Sequence, residues 1–342
     1  MLSLSVPLLV YFCSKEKVMK AIVMYQKGGM PEYVENFPEP EVKGEDQIII
    51  RVQAAAIKHL DKSQANGTHY SAKSDLNTAK VLGMDGVGIL ENGSRVFALG
   101  VTGMLAEKAI VEKSRVIPVP DGLDLAIAAA LPNAIGGSVM ALRFRAEIQP
   151  GDTILINGAT GVTGRMAVQV ARYYGAGRII GTGRNEESLN YLLASGVDEV
   201  VSLRKEDNDI LEHIKEIHRV TPIDIVLDYI WGNSASLILA SLKGQGNFTH
   251  RTRFVSIGSL GGDTIQLSSE ILRSVDLHLT GSGIGSWTKP QMQMLLTEII
   301  PEMFQLAADG KLKMEVQTVP LADMGNLWDI QVSDGKRLVA LM

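Results

Sequence analysis

The chain has 342 residues, 46% of them hydrophobic and 21% charged, a composition that excludes wholesale disorder. Its net charge of −5, with no run of five like charges, excludes nucleic acid or an anionic membrane as a main partner. The single cysteine, Cys13, excludes an internal disulfide and any multi-cysteine metal site.

Residues 1–18 stand apart. Leu2 to Cys13 is apolar but broken by Ser3, Ser5 and Pro7, and it is too short to span a bilayer. A signal peptide carries its positive charge before the apolar core, yet the first basic residue here is Lys15, after it. The expectation is an appendage or a mis-assigned start ahead of Met19, on a cytoplasmic protein. From Met19, MKAIVMY reads as a first strand, and short β-rich runs follow at 48–57, 86–90, 94–100, 106–111 and 114–120. Gly, Asn, Asp and Pro punctuate them, as in a compact β unit. The segment 127–145 then turns helical.

From Thr153 strand and helix alternate. Apolar, β-branched runs at 153–157, 178–182, 199–203, 224–230 and 253–258 are separated by helical stretches at 163–174, 186–195, 208–219 and 234–242. Continuous apolar strands with intervening helices predict a parallel sheet covered on both faces. LHLTGSG (277–283) reads as its last strand. A helix at 290–309, short strands and a terminal helix complete the expected order. The expected fold class is α/β, with a doubly wound parallel sheet at 136–285 inserted into a discontinuous β-rich domain made of 19–135 and 286–342.

Asn157-Gly158-Ala159-Thr160-Gly161-Val162-Thr163-Gly164 lies between the first of these strands and an amphipathic helix. It reads A-x-G-x-x-G, the dinucleotide fingerprint with Ala159 in place of the first glycine. Gly161 lets the backbone approach a pyrophosphate and Gly164 allows close packing of helix on strand. Free amides at the helix start then hold negative charge. The next strand ends Gly181-Thr182-Gly183-Arg184-Asn185. An NAD-specific site carries an acid there for the ribose 2′-hydroxyl, whereas a guanidinium can grip a 2′-phosphate bidentately. Glycines at 181 and 183 leave room for it. NADP(H) is therefore the expected cofactor, with Ala159, Thr160, Gly161, Val162, Thr163, Gly183, Arg184 and Asn185 around it.

From Met19 onward the chain resembles the medium-chain dehydrogenase/reductase superfamily, and in particular its zinc-free quinone oxidoreductase branch. The resemblance is carried by MKAIV (19–23), AAAIKHLD (54–61), VLGMDGVG (81–88), LPNAIGGSVMAL (131–142), QPGDTILINGATGVTGRMAVQVA (149–171) and RFVSIG (253–258). It implies a GroES-like β-rich domain and a Rossmann domain. It also implies Asp228 and Tyr229 on the adenosine side, Ile257, Gly258 and Ser259 along the cleft, and Ser282 and Gly283 at the carboxamide. Zinc-dependent members need Cys, His and Glu ligands where this chain looks to have Lys58, Met84 and Asp85, so no metal is expected.

Without zinc, such a reductase polarises its acceptor with hydrogen-bond donors. The donors expected near the nicotinamide are Lys58, His59, Lys62, Ser63, Asn66, His69 and Tyr70. Ser63 stands where several relatives carry a tyrosine. The resemblance also places Asn133 beside the nicotinamide, and a helix-capping role fits it equally. Lys58, His59, Ser63 and Asn133 are the catalytic candidates. The leading reading is an NADPH-dependent reductase of a quinone, an enal or another activated carbonyl compound. Two others compete: an enoyl-thioester reductase guided by Arg143, Arg145, Arg251 and Arg253, and a non-catalytic NADP(H)-binding redox sensor. By resemblance, the edge strand 277–283 pairs two subunits into a homodimer.

Overall fold

The computed structural model describes residues 17–26, 28–67, 79–244, 246 and 249–342. Most of the segment 1–18, together with His69 and Tyr70, therefore lies outside the described residues.

The β-rich unit opens with β1 (Val18–Met24), β2 (Glu32–Pro38) and β3 (Gln47–Ala56). A short helix α1 (His59–Ala65), β4 (Lys80–Val81), β5 (Asp85–Ile89), β6 (Arg95–Gly100) and β7 (Lys108–Pro118) follow. β1 sits between β2 and β4 in a small antiparallel sheet. β3, β5, β6 and β7 pair in sequence and β7 returns to β3, so the second sheet closes on itself. The two runs expected at 106–111 and 114–120 are one strand, β7. Its polar middle, Glu112 to Arg115, faces water and bends the strand without ending it.

Helix α2 (Leu125–Phe144) leaves this unit. The Asp124 carboxylate accepts from the amides of Ala126 and Ile127 at 2.9 and 3.0 Å and caps the helix start. α2 is long and apolar enough to cross a membrane, but 78% of its apolar window is buried inside the protein. It lies against β3 and β5 on one side and the first helix of the parallel-sheet part, Val162–Tyr173, on the other. One hydrophobic core consequently runs from Ala54, Val87 and Phe97 through α2 to Ile154, Leu227 and Val255.

The parallel sheet comprises β8 (Thr153–Asn157), β9 (Arg178–Gly183), β10 (Glu199–Ser202), β11 (Ile225–Asp228), β12 (Arg251–Ser256) and β13 (Asp276–Gly281). Helices α3 (Val162–Tyr173), α4 (Glu186–Ala194), α5 (Asp207–Val220), α6 (Gly232–Ser241) and α7 (Ser269–Ser274) connect them. The spatial order is β10-β9-β8-β11-β12-β13, so direction of travel reverses between β8 and β11. Ligands bind in the crevice that such a reversal opens beyond the carboxyl ends of the strands.

The helix expected at 290–309 is interrupted. α8 (Lys289–Met294) and α9 (Ile300–Ala308) flank a π turn at Leu295–Ile299. Pro301 has no N–H to return to Thr297, and the hydrogen-bond register widens just ahead of it. The expected terminal helix is not formed. After α9 come β14 (Val316–Pro320), single 3₁₀ turns at Leu321–Asp323 and Leu327–Asp329, and β15 (Arg337–Leu341), which lies against β3. Pro320, Gly325 and Gly335 break the stretch too often for a longer helix.

Candidate active site

The glycine turn follows β8 at the reversal point. A Cβ on Gly164 would stand 2.2 Å from the Gly158 carbonyl oxygen and 2.6 Å from the Ala159 Cα, so α3 packs on the turn only with glycine there. A Cβ on Gly161 would meet nothing nearer than 3.8 Å and would project into open space. Gly161 caps α3 without a side-chain hydrogen bond, and the amides of the first turn have no partner within the helix. An open cradle lined by helix-start amides fits a pyrophosphate.

Beneath the turn, strand ends are joined by a buried polar network. The Asn157 amide donates to Asp228 Oδ1 at 2.7 Å, and the Thr182 hydroxyl donates to Asn157 Oδ1 at 2.7 Å. Thr182 Oγ1 in turn accepts from the Gly158 amide at 3.1 Å. Asp228 Oδ1 also accepts from the amides of Ile230 and Trp231, each at 3.0 Å. Trp231 is held at φ 60, a costly backbone for a side chain of its size, and the Asp228 carboxylate braces it. Burial pushes the Asp228 carboxyl above its usual range against these hydrogen bonds. Asp228 thus shapes the floor of the crevice.

The glycines of β9 have a different use from the one expected. A Cβ on Gly183 would come within 2.3 Å of Thr160 Cγ2, and one on Gly181 within 3.1 Å of Ala159 Cβ. The space is filled by the side chains of the turn and is not left for a phosphate. Arg184, one residue on, is exposed, and among the described residues its side chain has no hydrogen bond or ion pair. Asn185 caps α4, its Oδ1 accepting from the Ser188 amide at 2.8 Å.

The other cleft positions come from β11, β12 and β13. The amides of Ile257 and Gly258 donate to the Asp228 carbonyl at 2.7 and 3.2 Å, and the exposed Ser259 follows them. Ser282 is buried and accepts from Trp287 Nε1 at 3.0 Å, while the Gly283 amide donates to Ser286 Oγ at 3.0 Å.

On the acceptor side the structure gathers charges the sequence scatters. Lys58 is 3% exposed. Its ammonium donates to Asp85 Oδ1 at 2.5 Å and to the Ala56 carbonyl at 3.1 Å, and lies 3.3 Å from Asp61 Oδ2. Two of its donors are spent on these hydrogen bonds, and the Asp61 ion pair holds its charge. Burial pulls the Lys58 pKa down, but Asp61 and Asp85 outweigh it and hold the ammonium above its usual range. Burial lifts the Asp85 carboxyl above its ordinary value despite that ammonium. Lys58 was expected as a donor toward the nicotinamide. It serves as an internal counter-ion instead.

Arg337, which the sequence reading passed over, completes the cluster. Buried at the start of β15, it approaches Asn133 Oδ1 and the Ile57 carbonyl at 3.4 Å each. Its charge opposes those of Asp61 and Asp85. The available signal was a lone arginine opening an apolar strand, RLVAL. Asn133 lies mid-helix in α2 and caps nothing; Asp124 has that role. His59 is exposed at the start of α1, and partial burial, then Arg337 and Lys62, hold its pKa below the usual value. The Ser63 hydroxyl donates to the Leu60 carbonyl at 3.1 Å.

α2 brings the two sides together. Asn133 reaches Arg337, while the backbone of Gly137 packs so closely on Ile257 that a Cβ would sit 2.9 Å from its Cγ2. Four residues of helix separate these positions, about 6 Å along its axis. Sheet order, glycine turn and facing wall define the class of fold, a doubly wound parallel sheet with a dinucleotide-type turn beside a β-rich unit.

Comparison with known proteins agrees. A family model described as zinc-binding dehydrogenase matches residues 162–301. A probable NADPH-dependent quinone reductase of Emericella nidulans is 27% identical, over 93% of this chain and 98% of its own length. Human quinone oxidoreductase is 27% identical over 81% of this chain and 84% of its own length. The Thermus thermophilus quinone oxidoreductase, solved alone and with NADPH, superposes with a TM-score of 0.73 at 28% identity and covers 95% of this chain and 100% of its own. These likenesses support the resemblance to the medium-chain dehydrogenase/reductase superfamily, in its quinone oxidoreductase-like branch.

Proposed function

We propose that this chain is a zinc-independent, NADPH-dependent oxidoreductase that reduces a quinone, an enal or another activated carbonyl compound. The carrying observation is the Lys58 ammonium locked between Asp61 and Asp85. By resemblance, Lys58 and Asp85 stand at positions that hold ligands in metal-dependent members, and here they bind each other. The positive charge on that wall is supplied by the chain itself.

NADPH supplies the hydride when bound. The amides from Thr160 to Gly164 would hold its pyrophosphate, and Arg184, whose side chain has no hydrogen bond or ion pair among the described residues, would grip the 2′-phosphate. The parallel-sheet part, 136–285, holds the cofactor, and the β-rich part, 19–135 with 286–342, supplies the acceptor wall. There Lys58 and Arg337 form a buried, charge-balanced cluster with Asp61 and Asp85, and His59, Ser63 and Asn133 are the polar groups beside it that could donate to an acceptor.

Three of the four arginines of the enoyl-thioester alternative are engaged within the chain, which favours the quinone or enal reading over it. Arg145 donates to the carbonyls of Gly281 and Ser286, Arg251 pairs with Asp276, and Arg253 pairs with Asp152. Arg143 lies over the Phe144 ring. A cytoplasmic homodimer joined along β13 completes the reading. β13 has β12 on one side, Leu279 on it is 37% exposed, and the helix at 289–308 packs on α2 and β7.

The experiment is NADPH oxidation against a panel of quinones, enals and enoyl thioesters. Turnover of quinones or enals supports the proposal. Turnover of enoyl thioesters alone replaces the substrate class, and tight NADPH binding without any turnover makes the chain a sensor.

A further inference from the structure

Arg165 stands in the first turn of α3, and its side chain bridges the glycine turn, α4 and the β-rich part. Its Nε donates to the Thr160 carbonyl at 3.1 Å, inside the glycine turn. The guanidinium lies 4.3 Å from the centre of the Tyr191 ring on α4, and its Nη2 is 3.4 Å from Ser188 Oγ. Its other face meets the turn at 333–336 of the β-rich part. A Cβ on Gly335 would fall 2.1 Å from Arg165 Cζ and 2.4 Å from Nε and Nη1, so the guanidinium stacks flat on that glycine's backbone. Gly335 also holds φ +77, which suits glycine and closes the turn. Asp334 in the same turn is 3.5 Å from Ser188 Oγ. Two residues beyond Gly335 the chain enters β15 at Arg337, the buried cation of the acceptor wall.

We propose that Arg165 is a positioning residue that couples occupancy of the glycine turn to the acceptor wall, through the turn at 333–336 and Arg337. A planar group clamped between an aromatic ring and a glycine backbone has little room to move by itself. Ligand that orders Thr160 fixes the Nε contact, the guanidinium, and then the backbone beneath it. That backbone sets where Arg337 enters the cluster of Lys58, Asp61, Asp85 and Asn133. The coupling rests on the proposed cofactor reading but adds a residue and a path to it.

The test is hydrogen exchange on the full chain with and without NADPH, read separately over 157–164 and 333–341. NADPH should slow exchange in both segments of the unaltered protein, with a change of about fivefold or more at 333–341. In Arg165→Ala the slowing at 157–164 should persist while that at 333–341 is lost. Gly335→Ala, acting from the other side of the clamp, should have the same effect. If either of these fails to fold, Arg165→Lys serves, because it keeps charge and stem but cannot stack as a plane. Slowing at 157–164 alone in the unaltered protein, or slowing at 333–341 that survives in these variants, overturns the coupling. No slowing at 157–164 overturns the cofactor reading itself, and the coupling with it.

Discussion

The two walls of the cleft solve the burial of polar groups in opposite ways. At the carboxyl ends of the parallel strands, Asn157, Thr182 and Asp228 are joined by neutral and singly charged hydrogen bonds, and glycines bring the backbone close. On the acceptor side Lys58, Asp61, Asp85 and Arg337 are packed as two cations against two carboxylates. Asp61 Oδ1 and Arg337 Nε are buried without a hydrogen-bond partner. The first wall also carries a cost, in the Trp231 backbone and in Asp228 Oδ2, buried without a hydrogen-bond partner among the described residues, but it presents amides to a ligand. The second concentrates charge in low dielectric, where pairing is obligatory and any loss is costly. Strand-end geometry leaves backbone amides open, whereas buried side-chain charges must be paired with one another.

The largest effect should come from breaking the charged wall. Asp85→Ala strands the Lys58 ammonium and should cost about 3–5 kcal/mol of stability in denaturant unfolding, the usual penalty for one orphaned buried ion. Replacing both partners, Lys58→Met with Asp85→Leu, should recover much of that loss. A double variant no more stable than Asp85→Ala would contradict the pairing.

Next is Arg184→Ala on the binding wall. Loss of a charge-assisted contact of about 1.5–3 kcal/mol should weaken NADPH by about ten- to a hundred-fold and leave NADH nearly unchanged. Equal weakening of both cofactors in a fluorescence titration would remove Arg184 from the 2′-phosphate. Gly161→Ala and Gly164→Ala sharpen the same point. The first adds a methyl in open space and should weaken NADPH with the melting temperature retained; the second collides with Gly158 and should lower the melting temperature. The reverse pattern would mean that the turn is not the cradle.

A smaller, pH-dependent effect separates the walls again. Lys58 has its pKa raised in the folded state, so its contribution to stability is complete below its ordinary value of 10.5 and is lost as pH rises through the higher folded value. Stability should fall in that alkaline window, and Lys58→Met should flatten the fall. An unchanged slope in Lys58→Met would assign it to other groups. Elemental analysis closes the set: protein purified without a metal-affinity tag should hold far less than one zinc per chain, and stoichiometric zinc would refute zinc independence.

Local signals carried much of this molecule. Apolar β-branched runs alternating with amphipathic helices specify a parallel sheet because strands covered on both faces can carry few polar residues. The glycine turn was legible because close approach of helix to strand excludes a Cβ, a constraint written in single residues such as Gly164. Elements whose limits depend on neighbours were not. β7 runs unbroken through a polar stretch because two partner strands hold it, and the last segment of the chain becomes strand because β3 offers an edge. The acceptor wall was the least visible part. Lys58, Asp85 and Arg337 are separated by 27 and 252 residues, and each alone reads as an ordinary polar residue. Only the closed sheet makes them neighbours, and only burial, which forces every charge to find a partner, turns Lys58 from a candidate donor into a fixed internal cation.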